Sequence, residues 1–414
     1  MKILIVHKYH YLRAGACTHL FALANLLEKH GHEVMHFSMH HPRNFKYKHE
    51  NFFVPYTDYA EELKKRGPMP KIKALKSMFY STIARKKFSE ALDFFKPDVI
   101  HLHNIHKHLT ISILYEAKKR NIPIVWTMHD YSLICPNYTM LAGGKVCESC
   151  RHHNYLAPVI KRCVKDSLLA SAAAAMEKFL NDMQRIDKKV DAYISPSQFL
   201  KDKFAEFGFD KGKIYYMPNF FNVSKKSIKQ SFREKYFLYL GRISGEKGII
   251  TLCEATKKAG VRLKILGEGP IKNELEQHYV SDKIQFLGYK TGKPLAHIRE
   301  DAWFVVVPSE WYENNPFSII ESFADGVPVI GARIGGIPEL IQEGKSGFMF
   351  TPKSVDELTD KLKIASKMSI AQRSQFGKNA KQFIKREYDP EKYYVNLMQI
   401  YKKVLKNKLL KKQK

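Results

Sequence analysis

Short apolar runs recur along the chain, separated by longer stretches in which apolar residues return every three or four positions. In the first half these runs are Ile3 to Val6, Val34 to Phe37, Val99 to Leu102, Ile124 to Thr127, Ala192 to Ile194 and Ile214 to Met217. A short continuous apolar run bounded by turn formers predicts a strand buried on both faces, and the 3.6-residue period between runs predicts helix. Strand and helix in alternation predict a parallel sheet covered on both sides. The polar stretch Asn222 to Arg233 reads as a linker. A second series follows, with runs at Phe237 to Leu240, Leu263 to Leu266, Ile284 to Leu287, Phe304 to Val307 and Val329 to Ile330.

The fold class is therefore α/β, with two doubly wound Rossmann-like domains facing a central cleft, and ligands expected at the carboxyl ends of the strands. Expected boundaries are 1–221 for the first domain, with a Cys-containing insertion near 131–189, then 234–388 for the second and 389–414 for a terminal helix with a basic tail. The length of 414 residues fits two cores better than one.

Composition is that of a globular protein, with 44% apolar and 12% aromatic residues. No apolar run is long enough to cross a bilayer, and the start, Met1 to His7, is too short for a signal peptide and leads straight into a strand–loop–helix pattern. The expected location is cytoplasmic. The formal charge of +28 calls for an anionic partner. Nucleic acid finds no support in zinc-finger spacing, an RNP-like aromatic motif or a basic zipper. An anionic membrane surface is the expected partner, with peripheral attachment to the inner face of the cell membrane. Two basic stretches could carry it. Ile72, Leu75, Phe79 and Ile83 form one helical stripe among Lys71, Lys73, Lys76, Arg85, Lys86 and Lys87, which suits either an interfacial helix or an ordinary helix with a solvated basic face. The terminal helix carries Leu397, Met398, Tyr401 and Leu405 as a packing stripe before a lysine-rich end, expected to be a free tail.

Chemistry concentrates in Glu313-Asn314-Asn315-Pro316-Phe317-Ser318-Ile319-Ile320-Glu321, between an apolar strand and an amphipathic helix. Pro316 suits a first helical turn, where several backbone N–H groups lie free at the positive end of the helix dipole. Such an end suits a diphosphate. Glu313 and Glu321, two turns apart, are expected to point into one cleft and accept bonds from sugar hydroxyls. Upstream, Gly241-Arg242-Ile243-Ser244-Gly245-Glu246-Lys247-Gly248 presents an arginine fork and a lysine point charge from a glycine-rich turn, a pair that neutralises a diphosphate well. The loop His7 to Ala16 is not Gly-x-Gly-x-x-Gly, which argues against a dehydrogenase.

The two glutamates with seven residues between them, followed by Gly326-Val327-Pro328-Val329-Ile330 and Gly335-Gly336-Ile337-Pro338-Glu339, resemble the retaining glycosyltransferases of family 4, over nearly the whole chain. The resemblance implies the GT-B fold and a nucleotide-sugar donor. It implies a phosphate role for Arg242 and Lys247, a turn beneath the nucleotide at Gly267, ribose binding by Glu321 and a donor-sugar role for Glu313. The backbone amides of Asn315, Phe317 and Ser318 would lie near the sugar or phosphates. Gly15 would let the first loop approach the donor phosphate, although the family's more frequent double glycine is absent. His129, at the end of the run Ile124 to Thr127, matches the family histidine beside the reacting carbon. No Asp-x-Asp motif is present, so no catalytic metal is expected; Arg242, Lys247 and helix dipoles would meet the leaving-group charge.

Cys135, Cys147, Cys150 and Cys163 fall together just after His129-Asp130. The Cys147-x-x-Cys150 knuckle suits tetrahedral zinc, so a structural zinc is one reading, with His152 and His153 as substitute ligands; reduced thiols and redox chemistry are the others. The expected function is a retaining, metal-independent glycosyltransferase that moves a hexose or N-acetylhexosamine, UDP-linked, to a membrane-borne lipid-linked or saccharide acceptor in surface polysaccharide assembly. The alternatives are a sugar-nucleotide epimerase on the same fold and a basic nucleic-acid-associated protein.

Overall fold

The structure, a computed structural model, describes residues 1–13, 15–222 and 234–412. In the first half the strands are β1 (Lys2–Val6), β2 (Glu33–Phe37), β3 (Val99–Leu102), β4 (Ile124–Thr127), a short antiparallel hairpin of β5 (Leu141–Ala142) and β6 (Lys145–Val146), then β7 (Ala192–Ser195) and β8 (Ile214–Tyr216). Except for the hairpin they form one parallel sheet in the order β2-β1-β3-β4-β7-β8. The second half contributes β9 (Phe237–Leu240), β10 (Leu263–Leu266), β11 (Ile284–Gly288), β12 (Phe304–Val307), β13 (Val329–Ala332) and β14 (Gly347–Phe350), parallel in the order β11-β10-β9-β12-β13-β14. Each strand of the central pairs is buried on both faces, which is why it reads as a continuous apolar run.

The winding of each sheet reverses once, between β1 and β3 and between β9 and β12, and ligands of doubly wound sheets bind outside the strand ends at such points. The loops after β1, β3 and β4 of one sheet and after β9 and β12 of the other therefore define the cleft.

All eleven expected strands are present. The hairpin and β14 were not anticipated: two-residue strands carry no periodicity, and Gly347-Phe348-Met349-Phe350 is a run too short to stand out. The linker assigned to Asn222 to Arg233 lies, past Asn222, outside the described residues. The terminal helix Pro390–Lys412 packs Tyr393, Leu397, Tyr401 and Val404 under the first sheet, as its stripe required. Its end is less free than expected, since Lys408 is buried and paired with Asp191 at 3.4 Å. The basic stretch is also not one helix. Ser81 caps a new helix, Thr82–Phe95, by accepting the Ala84 N–H at 3.1 Å, and the preceding helix, Pro68–Phe79, ends before it. The new start rotates the buried face onto Ala84, Phe88 and Leu92 and leaves Ile72 and Ile83 exposed, so the expected stripe does not exist as a single surface.

Candidate active site

The loop after β9 turns sharply through Gly245–Lys247 into Gly248, whose φ of 69° is left-handed and whose Cα lies so close to Pro308 that a Cβ would meet the Pro308 carbonyl at 2.0 Å. That contact brings the loop against the segment following β12. There the Lys247 ammonium donates to Glu313 Oε1 at 2.6 Å, and Ser309 Oγ and Trp311 Nε1 donate to the same oxygen, each at 2.8 Å. Burial raises the Glu313 carboxyl, but the Lys247 charge and hydrogen bond, with those of Trp311 and Ser309, outweigh it and hold the carboxyl below its ordinary value. Gly335 and Gly336 cradle the Glu313 backbone: the Gly336 N–H donates to the Glu313 carbonyl at 2.7 Å, and a Cβ on Gly335 would strike that carbonyl at 2.3 Å.

The helix Phe317–Ala324 starts one residue later than expected, with Pro316 extended at its cap position. Glu313 consequently lies in the loop before the helix, not on the helical face that carries Glu321. Glu321 is engaged by Arg299 at 2.5 Å, and burial, with Asp325 nearby, raises its carboxyl despite that arginine.

A cavity of about 490 Å³ spans the two halves. Gly15, Ala16, His129, Asp130 and Tyr138 line it from one side, and Gly241, Lys247, Glu313, Asn315, Phe317 and Ser318 from the other. A second, of about 650 Å³, continues from it at Leu240 and Gly241 to Arg242, Gly267, Tyr289 and Leu295, with Arg13 reaching in from the first half. Of the residues singled out in the sequence, Glu313, His129, Gly15, Lys247, Asn315, Phe317 and Ser318 share the first cavity, Arg242 and Gly267 share the second, and Glu321 lines neither. Gly15 is tight against its partner: a Cβ there would lie 2.7 Å from the Phe317 ring.

His129 sits under this cavity as the end of a histidine stack. Its Nε2 and His103 Nδ1 are 2.8 Å apart, His103 stacks on His101, and His101 lies between Tyr401 Oη at 2.6 Å and Thr127 Oγ1 at 2.7 Å. Burial pushes His129 down to about 4 and His101 to about 3, so both imidazoles are neutral near pH 7. The stack escaped the sequence reading, although a signal existed: a histidine follows within two residues of the ends of β1, β3 and β4.

Two contacts across the cleft were likewise missed. Asn314 accepts the Ser197 hydroxyl at 2.6 Å and donates to the carbonyls of Met128 and His129, and Glu339 accepts the Gln198 and Phe199 N–H groups at 2.8 and 2.7 Å, completing the N-terminus of the helix Gln198–Glu206.

Cys135, Cys147, Cys150 and Cys163 all carry free thiols in the insertion. Burial comes first, then the neighbouring thiols, in raising Cys135 to about 11 and Cys150 to about 12, while Cys147 is lowered because Ser149 and Lys161 outweigh its burial. The donor chemistry fits zinc, but among the described residues no three His, Cys, Asp or Glu side chains converge as metal ligands, and His153 turns instead to Asp182. The knuckle does touch the site: Glu148 accepts the Tyr312 hydroxyl at 2.8 Å and pairs with Lys203 at 2.9 Å.

The profile of the glycosyltransferase family 4 matches residues 13–225, and that of the glycosyl transferases group 1 matches residues 222–383. The chain belongs to glycosyltransferase family 4. A protein of the cps region of Klebsiella pneumoniae, described as uncharacterized, is 27% identical over 82% of this chain and 87% of its own length. The sulfoquinovosyl transferase of Arabidopsis thaliana is 27% identical over 65% of this chain and 50% of its own. Among solved structures, a sucrose-phosphate synthase from Thermosynechococcus elongatus superposes with a TM-score of 0.70 at 18% identity, covering 98% of this chain and 99% of its own. Anabaena HepE in complex with UDP-glucose superposes at 0.61 and 15% identity, covering 98% and 99%. These likenesses establish the GT-B fold and a glycosyltransferase whose relatives include a putative colanic acid glycosyltransferase and a lipopolysaccharide N-acetylglucosaminetransferase.

Proposed function

We propose that the protein is a retaining, metal-independent glycosyltransferase that transfers a sugar from a UDP-sugar to a membrane-borne acceptor in surface polysaccharide assembly. The observation that carries the reading is the single cavity in which Lys247, Glu313 and the first amides of the Phe317–Ala324 helix face His129 across the cleft. The base and ribose occupy the adjoining cavity beside Leu240, Gly267 and Tyr289, and the diphosphate lies over Gly241 between Arg242 and the helix N-terminus. UDP as carrier is supported by the likeness to HepE, solved with UDP-glucose. As the bond from C1 to the diphosphate oxygen breaks, the acceptor oxygen bonds C1 on the same face and its proton passes to that diphosphate oxygen. Arg242, Lys247 and the helix amides take up the leaving charge. Neutral His129, fixed by His103, orients the sugar by hydrogen bonding rather than by charge.

Membrane attachment is supported by a surface different from the one expected. The helix Leu168–Met183 exposes Leu169, Met176, Phe179 and Met183, a seam of alternating three- and four-residue steps through exposed Ala172. Leu156 and Ile160 extend it, and Lys71, Lys73, Lys76, Arg162 and Lys165 are exposed on the neighbouring segments. An apolar seam among cations matches an anionic bilayer. Among the described residues no helix is long and apolar enough to cross a membrane.

A thermal-shift series with UDP, GDP, ADP and an oligonucleotide tests the donor assignment. UDP raises the melting temperature of the wild type and not of Arg242→Ala. Stabilisation by the oligonucleotide alone would refute it.

A further inference from the structure

Beside the donor cavity lies another, of about 460 Å³, enclosed wholly by the first half of the chain. The two share Ala16, Asp130 and Tyr138 as a common wall. This cavity opens where the first sheet reverses its winding, at the ends of β1 and β3, the place where that half should bind a ligand.

Its charge is unbalanced. Lys8, Arg13, Lys107 and Lys178 line it against Asp130 and Glu177. Lys178 is held by Asp182, and Asp130 is occupied by its own turn, accepting the Ser132 N–H at 2.9 Å and the Asn104 amide at 3.4 Å. Burial pushes the Glu177 carboxyl up toward its neutral form. Among the described residues Lys8 and Lys107 have no hydrogen-bond or ion-pair partner for their ammonium groups, and Lys8 and Arg13 make only ring contacts, 5.5 and 4.5 Å over Tyr9. Burial lowers the Lys8 ammonium; the Asp130 carboxylate works against that lowering, and the charges of Lys107 and Arg13 add to it. His106 and His108, both lowered to about 4 mainly by burial, add neutral hydrogen-bonding groups. A buried ammonium that shares its cavity with two exposed cations, Arg13 and Lys107, and faces one carboxylate already engaged by its own turn, is favoured when an anion joins them.

We propose that this cavity is a phosphate subsite: the acceptor is a saccharide bearing a phosphate or diphosphate, which Lys8, Lys107 and Arg13 hold while a sugar hydroxyl reaches the donor cavity past Ala16 and Asp130. The inference rests on the glycosyl-transfer reading above and narrows its acceptor. The phosphate could belong to a lipid carrier or to a free sugar phosphate. The lipid source is favoured because the helix that walls the cavity through Ala174 and Glu177 carries the exposed apolar seam on its outer side, placing a bilayer about one helix diameter away, roughly 10 Å.

Isothermal titration with geranyl diphosphate and with glucose 1-phosphate, each on UDP-saturated protein, tests the subsite. At least one binds the wild type, and Lys8→Ala/Lys107→Ala weakens it by on the order of a hundredfold, about tenfold or more for each charged hydrogen bond lost. The unchanged UDP affinity of that variant, and the same loss in Lys8→Gln/Lys107→Gln, exclude misfolding. Tighter geranyl diphosphate identifies the lipid source, and tighter glucose 1-phosphate the soluble one; either upholds the subsite. If UDP does not bind, the donor reading falls, yet anion binding kept by Arg242→Ala and lost in Lys8→Ala/Lys107→Ala still upholds it. Binding of neither probe, or equal binding by the wild type and the lysine variant, overturns the proposal.

Discussion

Removing Lys247 should expose how the donor site is stabilised before any substrate arrives. Glu313 is 9% exposed and three donors converge on one of its oxygens, of which only Lys247 carries charge. Lys247→Ala leaves a buried carboxylate with two neutral donors. Truncating one partner of a buried ion pair costs about 3–5 kcal/mol, and the surviving Ser309 and Trp311 bonds place this case near the lower figure. At roughly 2–4 °C per kcal/mol for a domain of this size, the melting temperature should fall by about 6–12 °C near neutral pH. The pH dependence follows from the sign of the shift. In the wild type the carboxyl is held below its unfolded value, so its contribution is present above about pH 4.3 and lost only below it. Without Lys247 burial dominates, the folded value rises above the unfolded one, and the deficit shrinks as pH falls through that raised value. Differential scanning calorimetry of wild type, Lys247→Ala and Lys247→Ala/Glu313→Gln at about pH 7.5 and 5 measures this. The double variant should melt above the single one, because the amide needs no counter-charge. A single variant within about 1 °C of wild type, or a double variant less stable than the single one, would refute the reasoning.

The buried His101 should make the first half acid-labile: with its pKa lowered to about 3, stability is lost as pH falls below about 6.5, by roughly 2 kcal/mol at pH 5, and His101→Gln should flatten the fall in melting temperature over that range. A slope unchanged by the substitution would exclude His101 as a source. Wild-type protein should sediment with anionic liposomes at low salt and leave them at high salt; Leu169→Glu/Met176→Glu should weaken sedimentation by on the order of a hundredfold, at about 1.5 kcal/mol or more for each apolar side chain. If the seam instead joins two copies, analytical ultracentrifugation will show a dimer that the same substitutions dissociate. A zinc in the cysteine insertion requires its four thiols to draw together beyond their placement in this structure; elemental analysis of freshly purified protein tests it, about one zinc per chain upholding the metal and no metal, with all four thiols alkylated, leaving free thiols.

The strand framework was legible because strands buried on both faces have to be continuously apolar, as in Val99 to Leu102 and Phe304 to Val307. Those strand ends also brought out Arg242, Lys247, Glu313 and His129, since doubly wound sheets place their chemistry there. What escaped depends on distances that no local pattern encodes. Lys247 and Glu313 were assigned separate roles in sequence, whereas the left-handed turn at Gly248 pairs them. His101, His103 and His129 come from two strands and stack only when the sheet forms. The basic stripe failed because Ser81, a strong cap, restarts the helix and changes its phase. The apolar seam of Leu168–Met183 has helical periodicity, yet periodicity alone does not say whether such a face meets a core or solvent.

The central claim, retaining transfer from a nucleotide sugar at the cleft between the two sheets, is tested most directly by proton NMR of UDP-sugar turnover. UDP-glucose, UDP-galactose and UDP-N-acetylglucosamine, all α-linked, are incubated with the protein in EDTA and the anomeric proton of the released or transferred sugar is followed before mutarotation. At least one donor should be consumed, with the α anomer formed first and consumption abolished in Arg242→Ala. First formation of the β anomer, or turnover undiminished in Arg242→Ala, would contradict the account.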